Sequence, residues 1–406
     1  MKINVSLMLC CVAAILMAAC RKEPAGSGNL ATWEPPYSIE GLTVDGQFPI
    51  IAWTGIDCDQ YTYSRLVAMK ECGINVYLGW YDTVDQVMET LGQAEKAGVK
   101  AILKSDGLLS DTENTVRRMM DSPALFGYHI CDEPEVSDFG TIADIIKKIK
   151  AVDSSRPCYV NLYPNWAWGS IDGYSAKVTS FLSAVPMSFV SFDHYPVIEN
   201  NGVSSLRPEW YKNLEDIRRI ARAKKLPVWA FALALSHRLG DILYPVPAVE
   251  ELRLQMFSNL VYGAQGFQYF TFWGIYQNAP TQVYDRVKTV NRELQALSEY
   301  FLGADVTDVW HLGESIPYGT RMLKEMPDGI SKLETDGGKG LIVSRVRKKD
   351  SIYIAIVNKD YQSSVSVNAG FTGKAWRLDK EGNKAVAESG TYVIAAGDIL
   401  LFQIAG

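Results

Sequence analysis

The chain has 406 residues, with 40 Lys and Arg against 46 Asp and Glu and a net charge of −6. A mildly acidic chain without a basic stripe offers nothing to a phosphate backbone, so no nucleic-acid partner is expected. Its 7 cysteines include no CxxC pair and no His at zinc spacing, which reads as free thiols at Cys58, Cys72, Cys131 and Cys158 rather than a metal site, and no cofactor is expected.

Residues 1–19 read as an export signal: Lys2 supplies the positive start, and an apolar run follows that is too short to cross a bilayer as a helix. The closing Met17-Ala18-Ala19-Cys20 resembles a bacterial lipobox, which implies cleavage before Cys20 and lipidation of its sulfur. Residues 20–45 begin polar and rich in Gly and Pro, as a tether and lead-in would. The expected location is the bacterial cell envelope, lipid-anchored, at the outer membrane or periplasmic face, with the membrane as a partner through that N-terminal anchor.

From Phe48 onward, apolar runs of strand length alternate with amphipathic helical patterns. Strands are expected at Phe48 to Trp53, Asn75 to Trp80, Lys100 to Lys104, Leu125 to Ile130, Cys158 to Leu162, Ser188 to Asp193, Pro227 to Ala232 and Gly266 to Phe272. Helices are expected at Thr83 to Ala97, Phe139 to Ala151, Glu209 to Lys224, Ala248 to Tyr262 and Val283 to Phe301, with Asp82 and Asp138 as caps. This order and length predict a (β/α)8 TIM barrel over residues 46–304. An open doubly wound sheet competes, but Trp53-Thr54-Gly55-Ile56-Asp57 stands where its glycine-rich phosphate loop would follow the first strand. After Ala304 the helical period gives way to short alternating runs and polar turns, which predicts a small C-terminal antiparallel β-sandwich over residues 305–406, packed on the barrel.

In such a barrel the strands' carboxyl ends converge on one face. The fourth strand ends there in Cys131-Asp132-Glu133-Pro134, two adjacent acids after an apolar run. The same face collects Trp53, Trp80, Lys104, Asp106, His129, Asn161, Tyr163, Asp193, His194, Tyr195, His237, Tyr269 and Trp273, with Trp166 and Trp168 beyond the fifth strand. Carboxylates of differing pKa can supply an acid and a base or nucleophile, and flat aromatic faces stack on sugar rings. The plainer reading of Asp132 and Glu133 is a helix cap, but capping needs only one acid.

These residues resemble the clan-A glycoside hydrolases, (β/α)8 enzymes whose fourth strand ends in Asn-Glu-Pro with the Glu as acid/base. Asp132-Glu133-Pro134 is similar to that motif with Asp for Asn, and the likeness extends to the Gly263–Trp273 stretch and the appended β domain. It implies a glycoside hydrolase acting on an oligo- or polysaccharide, with Glu133 as general acid. The clan's nucleophilic Glu at the end of strand seven has no counterpart in Pro227 to His237. Asp193 is the preferred substitute, with Asp132, Asp106 and Asp57 as further acids, and the missing Glu favours inversion over retention. Trp53, Trp80, Tyr195 and Trp273 are expected as stacking walls, and Lys104, Asp106, Asn161, Tyr163 and His194 as polar contacts. The alternative is a catalytically degenerate barrel that binds glycans.

Overall fold

The structure, a computed structural model, describes residues 33–405. The export signal and the lipidation site Cys20 lie outside the described residues. Residues from Glu34 onward form one compact unit.

Eight parallel strands close a barrel: β1 (Ile50–Trp53), β2 (Val76–Tyr81), β3 (Lys100–Ser105), β4 (Leu125–Asp132), β5 (Cys158–Leu162), β6 (Val190–Phe192), β7 (Val228–Leu233) and β8 (Ala264–Phe270). β8 pairs with β1 through Ile50↔Phe267 and Ala52↔Tyr269, which closes the ring and leaves no free edge. The two-residue period sorts side chains between two cores. Ile51, Trp53, Leu78, Ile102, Phe126, Tyr159, Trp229 and Phe231 fill the barrel interior, and Leu42 and Val44 join them. Ala52, Tyr77, Leu103, Val160, Ala230 and Tyr269 face the surrounding helices. Tyr269 therefore does not belong to the mouth: its hydroxyl donates to Asn291 Oδ1 at 2.8 Å in the helix layer.

The helices start differently from expectation. Helix Val84–Ala97 is capped by Thr83, whose side chain accepts from the Gln86 N–H while Gln86 reaches back, so Asp82 is not the cap. Asp138 does not cap helix Phe139–Val152 with its side chain. It lies in a preceding 3-10 turn and accepts from the Glu135 N–H at 3.0 Å. That turn meets its own capping needs, which frees Asp132 and Glu133 from the plainer role. The expected last helix is broken into Tyr284–Ala296 and Ser298–Phe301.

β4 carries the feature that positions the site. His129 pairs with Tyr159 and faces the interior, yet Cys131 pairs with Val160, so Ile130 is an extra residue. Such a bulge re-aims the side chains beyond it. It pairs Asp132 with Asn161 on the interior face, where strict alternation from His129 would turn Asp132 outward.

Two hairpins inserted after β6 and β7 were not anticipated. Val197–Asn200 with Val203–Leu206, and His237–Leu239 with Ile242–Tyr244, join into a four-stranded antiparallel sheet. The sequence carries their signal: Asn201-Gly202 and Gly240-Asp241 are two-residue hairpin turns, and Asn201, Gly202 and Gly240 all take positive φ.

The C-terminal region is a sandwich of a six-stranded and a three-stranded antiparallel sheet. Val343, Ile354, Ile356, Val367 and Phe402 lie between the sheets. Ile342, Val346, Ala355, Val357 and Leu401 alternate with them and merge into the helix-layer core of the barrel. At this seam Arg253 pairs with Glu293 at 2.7 Å, Lys380 with Glu293 at 3.1 Å and Lys380 with Asp398 at 2.8 Å.

Candidate active site

A cavity of about 470 Å3 opens at the carboxyl ends of the strands. Asp132, Glu133, Asn161, Asp193 and His194 form its polar side, and Trp53, Trp166, Tyr195, Phe231, Tyr244 and Phe270 its aromatic walls. The acids come from two strand ends. Asp132 enters through the β4 bulge. Glu133 follows with φ +46°, a left-handed conformation that carries strain in any residue but Gly, and its N–H donates to the Asn161 carbonyl at 2.9 Å. Asp193 directly follows β6, and its N–H is directed at the Leu162 carbonyl, 3.4 Å away.

A chain of buried polar groups fixes the floor. Tyr159 donates to Gln268 Oε1 at 2.7 Å, Gln268 Nε2 donates to Ser191 Oγ at 2.9 Å, and Ser191 donates to Asn161 Oδ1 at 2.9 Å. With its oxygen committed, Asn161 turns its amide toward the acids and donates to Asp193 Oδ1 at 3.1 Å and Asp132 Oδ1 at 3.3 Å. One amide thus holds two carboxylates side by side, and both are close enough for their charge to act on Glu133.

All three acids are pushed above the ordinary carboxylate range. Burial raises Asp132 to about 6, against the opposing hydrogen bond from Asn161. Burial raises Glu133 most, and the charges of Asp193 and Asp132 add to it. Asp193 is raised by burial and by the charge of Asp132. Like charges in a shared, poorly solvated site cannot all ionise, so the Glu133–Asp193 pair retains a proton near neutral pH.

The walls come from separate loops that one cation ties together. The Arg207 guanidinium lies 4.2 Å from the Trp166 ring centre, donates to the Tyr244 hydroxyl at 3.0 Å and pairs with Glu209 at 2.6 Å. His237 stacks flat on Tyr244 with ring centres 4.5 Å apart, and Tyr195 stacks on Phe270 at 5.5 Å. Tyr244, Leu239 and Phe270 were not singled out from sequence, because their place depends on the unanticipated hairpins and on the register of β8.

Of the expected site residues, Glu133, Asp193, Asp132, Trp53, Asn161, His194 and Tyr195 line the cavity together. Tyr163 is close enough to Glu133 for that charge to act on its hydroxyl, but it packs on Trp168 with ring centres 5.7 Å apart. Trp80 extends the wall outward: it is 48% exposed and meets Trp53 edge-on at 6.3 Å. Lys104 donates to the Ile130 carbonyl at 3.2 Å, and Asp106 is exposed at the start of a short helix, both outside the cavity lining. Trp273 borders a neighbouring hollow of about 300 Å3 with Asp57 and Arg65. Trp168 is a correction, since it is buried against Phe139, Tyr163 and Tyr174 and presents no surface to a ligand. His129 lies beneath the mouth, its ring packed on Trp53, Trp80 and Tyr159, and burial lowers it to about 3. Nothing in β7 or in the following Ala234 to His237 is acidic.

No family model matches the sequence, and no curated protein matches it. Among solved structures, the chain is similar to a protein described as a glycoside hydrolase, at 13% identity and a TM-score of 0.56, covering 88% of this chain and 92% of that one. It is similar to a glycoside hydrolase family 5 protein from Bacteroides vulgatus, at 11% identity and a TM-score of 0.54, covering 89% and 92%. It is also similar to a noncanonic maltogenic alpha-amylase from Thermotoga neapolitana, at 9% identity and a TM-score of 0.50, covering 89% and 99%. At these identities the likeness establishes the fold: a TIM barrel followed by a β-sandwich.

Proposed function

We propose that this protein is a glycoside hydrolase that cleaves O-glycosidic bonds in an oligo- or polysaccharide. The observation that carries the reading is the convergence of Glu133, Asp193 and Asp132 in one aromatic-walled cavity, where the charges of the two Asp act on Glu133. Glu133, the acid most favoured to stay protonated, donates its proton to the leaving oxygen, while Asp193, held by Asn161, faces the anomeric carbon. Trp53, Trp166 and Tyr195 offer faces for sugar rings. A separation of ~5–5.5 Å between the Glu133 and Asp193 carboxyl groups would suit retention and ~6.5–9.5 Å inversion.

The test is a release assay over plant, host and microbial glycans, with wild type beside Glu133→Gln. Sugar release by wild type that the variant loses supports the reading, and identical release by both removes Glu133 from it. The absence of an acid on β7 is the observation that favours a second reading, a degenerate barrel that binds glycans. Glycan binding without release by wild type would select it.

The chain is proposed to act at the cell envelope through lipid on Cys20. Cys20→Ala should move the protein from the membrane to the soluble fraction, and equal solubility of both would overturn the anchor.

A further inference from the structure

The polar groups of the cavity are unusual in what they can accept. His194 is 2% exposed and lines the cavity. Its Nδ1 lies 2.9 Å from Asn213 Oδ1, on helix Trp210–Lys224. That same oxygen accepts the Asn165 backbone N–H at 2.9 Å, which identifies it as the carbonyl oxygen of the amide. An oxygen has no hydrogen to give, so His194 must carry its proton on Nδ1 and donate it. Nε2 is then a bare acceptor, and it has no hydrogen-bond partner. Nε2 is thus the free acceptor of a residue that lines the cavity. Burial holds the imidazole neutral by lowering it to about 4.

The ionisable lining beside it is acidic: Asp132, Glu133 and Asp193. Asp132 and Asp193 are acceptors when ionised, and Asn161 has already spent its amide on them. The lining includes no Lys or Arg. The two nearest cations are committed elsewhere, Arg207 to Glu209 behind the Trp166 wall and Lys104 to the Ile130 carbonyl. A ligand here must not bring negative charge, because an anion would meet carboxylates in a poorly solvated site with nothing to neutralise it.

We propose that the cavity selects uncharged sugars, whose hydroxyls donate to His194 Nε2 and the carboxylates, and rejects acidic ones such as uronates and sulfated or phosphorylated sugars. This deepens the hydrolase reading and rests on it for the catalytic assay only. Two observations carry it: the lone pair that Asn213 forces onto His194 Nε2, and the acids of the lining with no cation among them. A carboxylate-bearing sugar would set its charge against theirs.

The experiment compares 4-nitrophenyl glycosides of glucose, galactose and mannose, in both anomeric forms, with 4-nitrophenyl glucuronides and galacturonides. Expected is cleavage confined to neutral glycosides, or a kcat/KM at least about 100-fold lower for the acidic counterpart. Equal or preferred cleavage of a uronide overturns the proposal. If none of these aryl glycosides is cleaved, the hydrolase reading stands or falls on the glycan release assay, and the same sugars as methyl glycosides are titrated against tryptophan fluorescence. Neutral sugars binding ahead of uronates then sustain the selectivity, and uronates binding as well, or no sugar binding, overturns it. Independently, nitrogen-15 NMR of labelled histidine, with His194 assigned by its loss in His194→Gln, should show a proton on Nδ1 and none on Nε2. The opposite tautomer would overturn the argument at its base.

Discussion

The chain gathers charge in two places and handles it in opposite ways. At the seam between barrel and sandwich, Glu293 and Asp398 are matched by Arg253 and Lys380. Burial works to raise Glu293, but the hydrogen bond from Arg253 and the charge of Lys380 outweigh it and hold the carboxyl below its usual range. At the barrel mouth, Asp132, Glu133 and Asp193 share a cavity lined by no cation, and all are pushed up. The seam uses charge to hold two layers together. The mouth keeps charge unmatched, which costs stability and leaves a proton ready to be moved.

The largest way to break the contrast is at the proton itself. Glu133→Gln should cost about 10²-fold or more in turnover of glycans with poor leaving groups. It should cost much less in cleaving an activated aryl glycoside, whose leaving group needs little protonation. Equal losses on both would argue against the acid role.

Next in size is the seam. Glu293→Leu leaves Arg253 and Lys380 facing an apolar side chain and should destabilise by about 2–3 kcal/mol in denaturant melts near neutral pH. Because the native carboxyl is held low, its contribution exists above the ordinary carboxylate range and fades as pH falls through the native value. The cost of the substitution should therefore shrink in acid.

Asp193→Asn should do the reverse and stabilise the protein, by about 1 kcal/mol at about pH 8. A carboxyl raised in the native state favours folding below its unfolded value and loses that contribution as pH rises through the native one. The gain from removing it should therefore vanish near pH 4. A variant less stable than wild type at pH 8 would show that Asp193 is paired after all.

The smallest effect sharpens the picture of Glu133. Asp132→Asn removes a negative neighbour that helps hold the Glu133 proton, so the alkaline limb of the pH–rate profile should move to lower pH, by less than about 1 unit. An unmoved limb would mean that Asp132 is not charged when the reaction runs.

Much of the barrel was legible because burial leaves a period in the chain. Runs such as Ile50–Trp53 and Leu125–Asp132, separated by helical patterns, announce parallel strands, and an acid pair at the end of β4 falls on the mouth by topology alone. The inserted hairpins were written in Asn201-Gly202 and Gly240-Asp241 but are too short to leave a period. Trp166 and Trp168 look alike in sequence, yet one lines the cavity and the other is core. Their roles depend on Arg207 and on Phe139, residues far from both in the chain.

The sequence by itself determined the strand and helix alternation, the acids carried at the ends of β4 and β6, and the lack of one after β7, since these are properties of local pattern and composition. Tertiary structure decided which of those acids meet. The Ile130 bulge turns Asp132 inward, Glu133 follows it into the same cavity as Asp193, and Asn161 seats two carboxylates on one amide. Each depends on the register between neighbouring strands, and register is set by pairing across the barrel, where residues distant in sequence fix one another's direction.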